Sequence, residues 1–128
     1  MHRLSNTLRN ARLDTQALLA DNGYLEMRTG SQPASPQSAA PGIILVSLRF
    51  ASPAAPAASG GANTYVFASV PAIASGTAVW YRAYKSDGTT ALWDGSIGTV
   101  GADLNLPSTA MAPGVEVSAV LTITDPME

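Results

Sequence analysis

The side chains that could do chemistry are concentrated between residues 80 and 103. The segment DGSIG, residues 94–98, is close to the Gly-x-Ser-x-Gly turn of hydrolases, but its first glycine lies one residue too near the serine. Ser96 would also need a base to activate it. The single histidine is His2, beside a terminus where chains usually fray. We therefore expect a strand end bounded by glycines, and no hydrolase.

Three aspartates could form a carboxylate site. Asp87 and Asp94 flank a predicted hairpin, which puts them too far apart to act together as in glycosidases. Calcium binding by Asp87, Asp94 or Asp103 would need the Asp-x-Asp-x-Asp-Gly pattern, which is absent, and Asp87-Gly88 is explained by turn geometry. The chain has no cysteine, which excludes thiolate metal sites and cysteine nucleophiles. We expect no enzymatic activity, no metal and no cofactor.

An aromatic cluster surrounds the same hairpin and consists of Trp80, Tyr81, Tyr84 and Trp93. Aromatic residues in sheets usually pack across strands and fill the core. The alternative is an exposed platform that stacks a sugar ring, as in a carbohydrate-binding module using Trp80, Tyr84 or Trp93.

The composition favours binding between proteins over binding to other partners. With 128 residues, one domain is expected, and 46% hydrophobic residues can form a core. Only 12% are charged, about half the usual quarter. A net charge of −2 argues against a nucleic-acid partner. The longest strongly apolar run, residues 43–46, is too short to span a membrane.

One helix is predicted near the N-terminus, since residues 4–20 contain no Gly or Pro. Ser5 or Asn6 can cap its start, and Asn22-Gly23 can end it because glycine accepts the left-handed conformation. One apolar stripe recurs at three- and four-residue steps: Leu4, Leu8, Ala11, Thr15, Leu18 and Leu19. We expect this stripe to dock on a sheet of its own domain or on a neighbouring subunit.

The polar face of the same helix carries Arg9, Arg12 and Asp14. Such a face is usually solvated. The alternative is that Arg9 and Arg12 bind an acidic partner surface.

Strand patterns separated by Gly and Pro fill the rest of the chain. The predicted strands are residues 24–29, 42–50, 63–70, 77–85, 90–95, 103–106 and 115–124. The 42–50 strand is apolar on both faces, which is typical of a central strand. We predict a mainly β fold in one domain, 1–128: an N-terminal helix in 1–23, then an antiparallel β-sandwich or jelly roll in 24–125.

Two proline-rich loops, residues 30–41 and 51–62, interrupt this pattern. Loops of this length are uncommon in compact domains unless they bind something, and such segments often become ordered only against a partner. We therefore predict protein contacts in both loops and in the helix. The candidate contact residues are Arg9, Arg12, Gln32, Pro33, Pro36, Pro53 and Pro56.

Four segments carry a resemblance to a known group of proteins. They are RNARLD (9–14), RTGSQP (28–33), SDGTT (86–90) and DGSIGTVGADLNL (94–106). Together they resemble small virion structural proteins of tailed bacteriophages and prophages, over nearly the whole chain. The shared motifs are turns and strand ends, so no catalytic residues carry over.

The resemblance implies a non-enzymatic component of the phage particle. We expect a capsid decoration (cement) protein that is made in the bacterial cytoplasm and located in the virion. Its expected partners are the major capsid protein or other virion proteins, and further copies of itself, for example as a trimer at threefold positions. The alternative is a tail, baseplate or neck component.

Overall fold

The structure is a computed structural model that describes residues 5–124. It is mainly β, with 42% strand and 12% helix. In chain order the elements are α1 (Asn6–Ala20), β1 (Tyr24–Arg28), β2 (Ile44–Arg49), β3 (Ala62–Pro71), β4 (Gly76–Thr77), β5 (Trp80–Tyr84), β6 (Ala91–Gly98), β7 (Leu104–Asn105), β8 (Ala110–Met111) and β9 (Glu116–Thr124). His2 and Leu4 lie outside the described residues.

The strands form a sandwich of unequal sheets. The larger sheet has the order β2-β1-β5-β6-β7 and is antiparallel except for the β6–β7 pair. A long antiparallel ladder of β3 and β9 forms the second layer, and β4 pairs with β8. The predicted mainly β sandwich with an N-terminal helix is confirmed.

One hydrophobic cluster lies between the layers and under the helix. Leu25 and Met27 of β1 are completely buried, as their alternation predicts. In β9, Val117, Ala119 and Leu121 are buried while Val120 is exposed. The period of two therefore identified the inward side of both strands.

The position of β2 differs from the prediction. Leu45, Val46 and Leu48 are buried, as in a central strand, but β2 is at the edge of its sheet. Its two-sided burial arises because the chain packs β3 and the segment after it against β2, where Ile73 N donates to Leu45 O. The apolar strand β2 therefore lies at the edge of its sheet, where other segments of the chain cover it.

The predicted hairpin at Asp87-Gly88 is confirmed and connects β5 to β6. Gly88 has a φ of 72°, and Asp87 Oδ1 accepts from the backbone N–H groups of Thr89 and Thr90 at 2.9 Å. An Asx side chain that accepts from following amides is a common turn device. The turn is therefore held by its own residues.

The helix begins and ends close to the predicted positions. Ser5 is the N-cap, and its Oγ accepts from Leu8 N at 3.1 Å. At the other end Asn22, not Gly23, adopts the left-handed conformation, with a φ of 57°. Gly23 is needed for a different reason, since a Cβ there would lie 2.1 Å from Tyr84 O. Within residues 5–124, no helix is long and apolar enough to cross a membrane.

Candidate interaction surface

The carboxylates considered for chemistry have structural partners. Asp94 forms a bidentate pair with Arg82 across β5 and β6, with Nε–Oδ1 at 2.7 Å and Nη2–Oδ2 at 3.0 Å, and both side chains are buried. Asp103 Oδ2 accepts from both the backbone N–H and the hydroxyl of Ser96. Residues 5–124 contain no group of three or more His, Asp or Glu side chains placed to hold a metal ion.

Arg82 also holds the 30–41 loop. Its Nη1 donates to Ser38 O at 2.7 Å and its Nη2 to Ser35 O at 3.4 Å, while its guanidinium lies 5.2 Å from the ring centre of Trp80. The hydrogen bond with Asp94 raises the pKa of Arg82 above its ordinary value. A permanently charged, buried side chain therefore fixes the loop through its carbonyl groups.

The predicted contact residues of the 30–41 loop lie at the surface. Gln32 is exposed, and Pro33 and Pro36 are half-buried. The loop has no regular secondary structure, as predicted. Its backbone is nevertheless tied to the sandwich through Arg82, so it is not a free arm.

The helix and its C-cap hold the 51–62 loop. Asn10 Oδ1 accepts from Gly61 N, Asp14 Oδ1 from Ala58 N and Asp21 Oδ1 from Ala54 N, at 2.9, 2.7 and 2.7 Å. Asn10 and Asp14 lie on one face of α1 because their positions differ by four residues, and Asp21 is the C-cap that follows Ala20. One signal of this role is visible in the sequence: Asp21 is an acid at the C-terminus of the helix, where the macrodipole disfavours it.

Arg9 was expected on a solvated face of the helix, but it is buried. It is only 6% exposed, and its Nη1 donates to Asn6 Oδ1 at 2.9 Å. Its guanidinium fills the space over Gly61, where an added Cβ would lie 2.2 Å from Cζ. Arg9 therefore contacts the chain's own loop, whereas Arg12 is exposed at the surface.

If the predicted apolar stripe of α1 packed on its own sheet, it would be buried, but the structure buries the opposite face of the helix. The inner face, which packs on the sandwich, consists of Arg9, Leu13, Ala17 and Ala20. The predicted apolar stripe instead faces outward. We call this the outer face of α1, and within the described residues it comprises Leu8, Ala11, Thr15, Leu18 and Leu19. Leu18 is 70% exposed.

A groove runs beside the outer face, between α1 and β6. It has a volume of about 350 Å³ and is lined by Arg12, Thr15, Gln16, Leu19, Leu92 and Trp93. Thr15 and Leu19 belong to both the groove and the outer face. The exposed apolar surface of the helix therefore continues into a concave site.

The outward side of the β3–β9 ladder has an exposed centre of small side chains, both apolar and hydroxyl-bearing. We call it the ladder face, and it consists of Thr64, Val66, Ala68, Ser118, Val120 and Thr122. Val66 and Val120 are directly opposite in the register and are 64% and 57% exposed. These six residues carry no charge, and Glu116, the next outward residue of β9 beyond Ser118, lies at the end of the ladder face, where it accepts from Ser69 Oγ at 2.9 Å. Pro53 and Pro56, both exposed, line a depression beside Val66.

The aromatic cluster does not form an exposed platform. Trp80 is completely buried and donates its Nε1–H to Thr29 O at 3.0 Å, and Tyr84 is also buried. Trp93 is half-buried, packs against Phe50 and Tyr65, and donates to Tyr81 Oη at 3.1 Å. Most of this cluster therefore acts in the core, as aromatic residues in sheets usually do.

Burial changes the titration of two tyrosines in the core. Burial raises the pKa of Tyr65 to about 12, and the carboxylates of Asp14 and Asp21 add to the shift. Burial likewise raises the pKa of Tyr81 to about 12, although its hydrogen bond with Trp93 acts in the opposite direction. Neither phenol is poised to exchange a proton near neutral pH.

The chain was compared with known protein families, curated proteins and solved structures. No family model matches the chain, and neither the curated proteins nor the solved structures contain a match.

Proposed function

We propose that this chain is a structural protein of a bacteriophage particle, specifically a decoration protein that binds the assembled head shell. Two observations support the proposal. The first is the resemblance of its turn and strand-end segments to small virion proteins. The second, which carries the proposal, is the uncharged ladder face with its exposed Val66–Val120 pair.

The ladder face suits a flat, repeated partner. The outward side of a sandwich is normally polar, and extended exposed apolar patches mark interaction sites. A head shell presents the same surface many times, so moderate contacts by many copies give a stable layer. A protein that binds the assembled shell and not the loose subunits adds its binding free energy to the stability of the shell.

The experiment is to purify the phage particle that encodes this chain and to image it. On the order of hundreds of copies on the head surface are expected for a protein that follows the shell lattice. A small number of copies on the tail axis would overturn the decoration role and favour the tail, baseplate or neck alternative. Complete absence of the chain from the particle would overturn the virion role itself.

Two matched variants connect the ladder face to this role. Val66→Glu introduces a charge into the ladder face, and Val100→Glu introduces the same charge at a residue that is 85% exposed and lies in a turn. We expect particles made with Val66→Glu to lose the chain and those made with Val100→Glu to retain it. Full occupancy with Val66→Glu would contradict contact through the ladder face.

The carbohydrate-binding alternative has little support in the positions of the aromatic rings. A sugar-stacking site needs an exposed ring face. Trp80 and Tyr84 are buried, which leaves the half-buried Trp93 as the remaining candidate.

A further inference from the structure

We propose that the outer face of α1 is a contact between copies of this chain, in which helices from neighbouring copies run parallel around a common rotation axis. This inference does not depend on the phage role, because it concerns the isolated protein. It rests on four features of α1: its two apolar faces, its fixed orientation, its residue spacing and the distribution of charge on its flanks.

The first feature is that α1 is apolar on opposite sides. Its inner face contributes Leu13, Ala17 and Ala20 to the interior. Its outer face nevertheless exposes Leu18 by 70%, and Leu8 and Leu19 are about half exposed. A surface helix normally carries polar residues opposite its buried stripe, and a helix that is apolar all round is normally buried.

The second feature is that α1 cannot turn to bury its outer face within the monomer. Asn10, Asp14 and Asp21 hold the 51–62 loop through three hydrogen bonds. Arg9 fills the space over Gly61 on the inner side. Rotating the helix about its axis would break all of these contacts, so residues 5–124 cannot bury the outer face by turning α1.

The third feature is the spacing of the outer face. Leu8, Ala11, Thr15 and Leu18 alternate in steps of three and four residues. This narrow stripe is the pattern with which one helix packs along another in a coiled coil. A second copy of α1 therefore fits the outer face better than a flat sheet does.

The fourth feature is that the two flanks of the outer face complement each other. One flank borders the groove and carries Arg12 and Leu19. The other borders the 51–62 loop and carries Asp14 and the protruding Leu18. Asp14 accepts from Ala58 N through Oδ1, and a carboxylate has acceptor capacity for further donors.

Only one orientation brings unlike flanks together. In a parallel arrangement around an axis, the groove flank of each copy faces the loop flank of the next. Leu18 of one copy then enters the groove of its neighbour, and the Arg12 side of the groove faces Asp14. An antiparallel pair related by a twofold axis would instead place each flank against its own kind, Arg12 near Arg12 and Asp14 near Asp14.

The first test is the oligomeric state of the purified full chain, measured by sedimentation equilibrium. We expect concentration-dependent self-association of the natural chain below about 100 μM, the range in which a modest interface assembles. A chain that remains monomeric up to that concentration would overturn the proposal. This result would leave the shell-binding role untouched, since that role is judged on the particle.

Matched variants locate the surface. Leu18→Glu places a charge on the outer face, and Ile73→Glu places the same charge at a residue of nearly equal exposure, 67%, elsewhere. We expect Leu18→Glu to weaken self-association at least about tenfold, as removal of a central contact does, and Ile73→Glu to leave it unchanged. Circular dichroism checks that both variants are folded. Equal effects of the two variants would overturn the assignment to the outer face.

A cysteine variant tests the orientation, which the absence of natural cysteines makes simple. In a parallel arrangement, the Leu8→Cys thiols of neighbouring copies lie at the same height and form a disulfide under mild oxidation. In an antiparallel pair, Leu8 of one copy faces Leu18 of the other, which separates the two thiols by about 15 Å along the axis at the rise per residue of a helix. Failure to cross-link a chain that self-associates would overturn the parallel arrangement.

Discussion

The two proline-rich loops have similar compositions, yet the molecule holds them in opposite ways. The 30–41 loop presents backbone carbonyl groups to one buried cation, Arg82. The 51–62 loop presents backbone N–H groups to two side chains of α1, Asn10 and Asp14, and to its C-cap Asp21. Composition therefore shows that a segment will be irregular, but not whether its position depends on one interaction or several.

The two loops should therefore respond differently to mutation of the side chains that hold them. Arg82 is shared between Asp94 and the 30–41 loop, so its loss affects the core and the loop together. The three helix acceptors act at separate amides, so their losses should add. Mutation can therefore distinguish the 30–41 loop, which one side chain holds, from the 51–62 loop, which several side chains hold.

The largest effect is expected for Arg82→Met. It leaves the Asp94 carboxylate buried without its cation, which costs about 3–5 kcal/mol. Urea denaturation measures this loss, and digestion with a nonspecific protease followed by mass spectrometry measures cleavage in each loop. We expect faster cleavage in the 30–41 loop and unchanged protection of the 51–62 loop.

The double variant Arg82→Met/Asp94→Leu separates the two functions of Arg82. Removing the unpaired charge should restore part of the stability, because an apolar pair can replace a buried ion pair. The 30–41 loop should remain sensitive to protease, since its carbonyl groups still lack a donor. A double variant in which protection of the loop is also restored would show that Arg82 does not hold it.

Gly61→Ala and Gly60→Ala form a matched pair in the other loop. Both glycines have positive φ, 76° and 61°, so alanine costs about 1 kcal/mol at either position. Only at Gly61 would the new Cβ meet the Arg9 guanidinium, whereas nothing lies within 4 Å at Gly60. We expect Gly61→Ala to cost about 1 kcal/mol more, and equal losses would contradict a close packing role for Arg9.

Smaller, additive losses are expected for the helix acceptors. Asp14→Ala should cost about 1 kcal/mol relative to Thr7→Ala, a control that gains similar helix propensity at an exposed position of α1. Asp21→Ala, at the C-cap, should cost about 1 kcal/mol relative to the natural chain. The double variant should lose the sum, with cleavage in the 51–62 loop rising at each step. A loss in the double variant no greater than in either single variant would contradict independent attachment.

The smallest effect concerns a third loop, the 86–90 turn, which is held by its own residues. The hydroxyl of Thr90 and the amides of Thr90 and Thr89 lower the pKa of Asp87 from 3.8 to about 2. Because the folded state favours the carboxylate, its contribution to stability is present above pH 3.8 and is lost as the pH falls towards 2. Urea midpoints should therefore fall less between pH 4 and 2 in Asp87→Asn than in the natural chain, and identical slopes would contradict this role.

Local patterns predicted the elements better than their arrangement. The helix, the Asp87-Gly88 hairpin and the inward side of β9 follow from spacing and turn chemistry within a few residues. The edge position of β2 does not, because two-sided burial arises either at the centre of a sheet or under a covering segment. The mainly β sandwich could therefore be predicted, but the strand order could not.

The interaction surface was harder to predict for a related reason. The outer face of α1 forms a clear stripe in the sequence, but periodicity does not say whether a stripe packs inward or remains outside. The buried face contains the small residues Ala17 and Ala20, which give a weak hydrophobic pattern. It also contains the charged Arg9, which a sequence pattern would assign to the solvent side. The bonds that decide the orientation, such as Asp14 to Ala58, join residues 44 positions apart, beyond the reach of any local pattern.

The placement of the two tryptophans gives the molecule a pair of natural optical probes. Trp80 is sealed beside Arg82, where the 30–41 loop is held, and Trp93 lies at the groove beside α1. Indole emission shifts to longer wavelength as water gains access to the ring. Trp80→Phe would leave a fluorophore that reports on the groove, and Trp93→Phe one that reports on the loop, so the two regions can be followed separately in one chain without an added label.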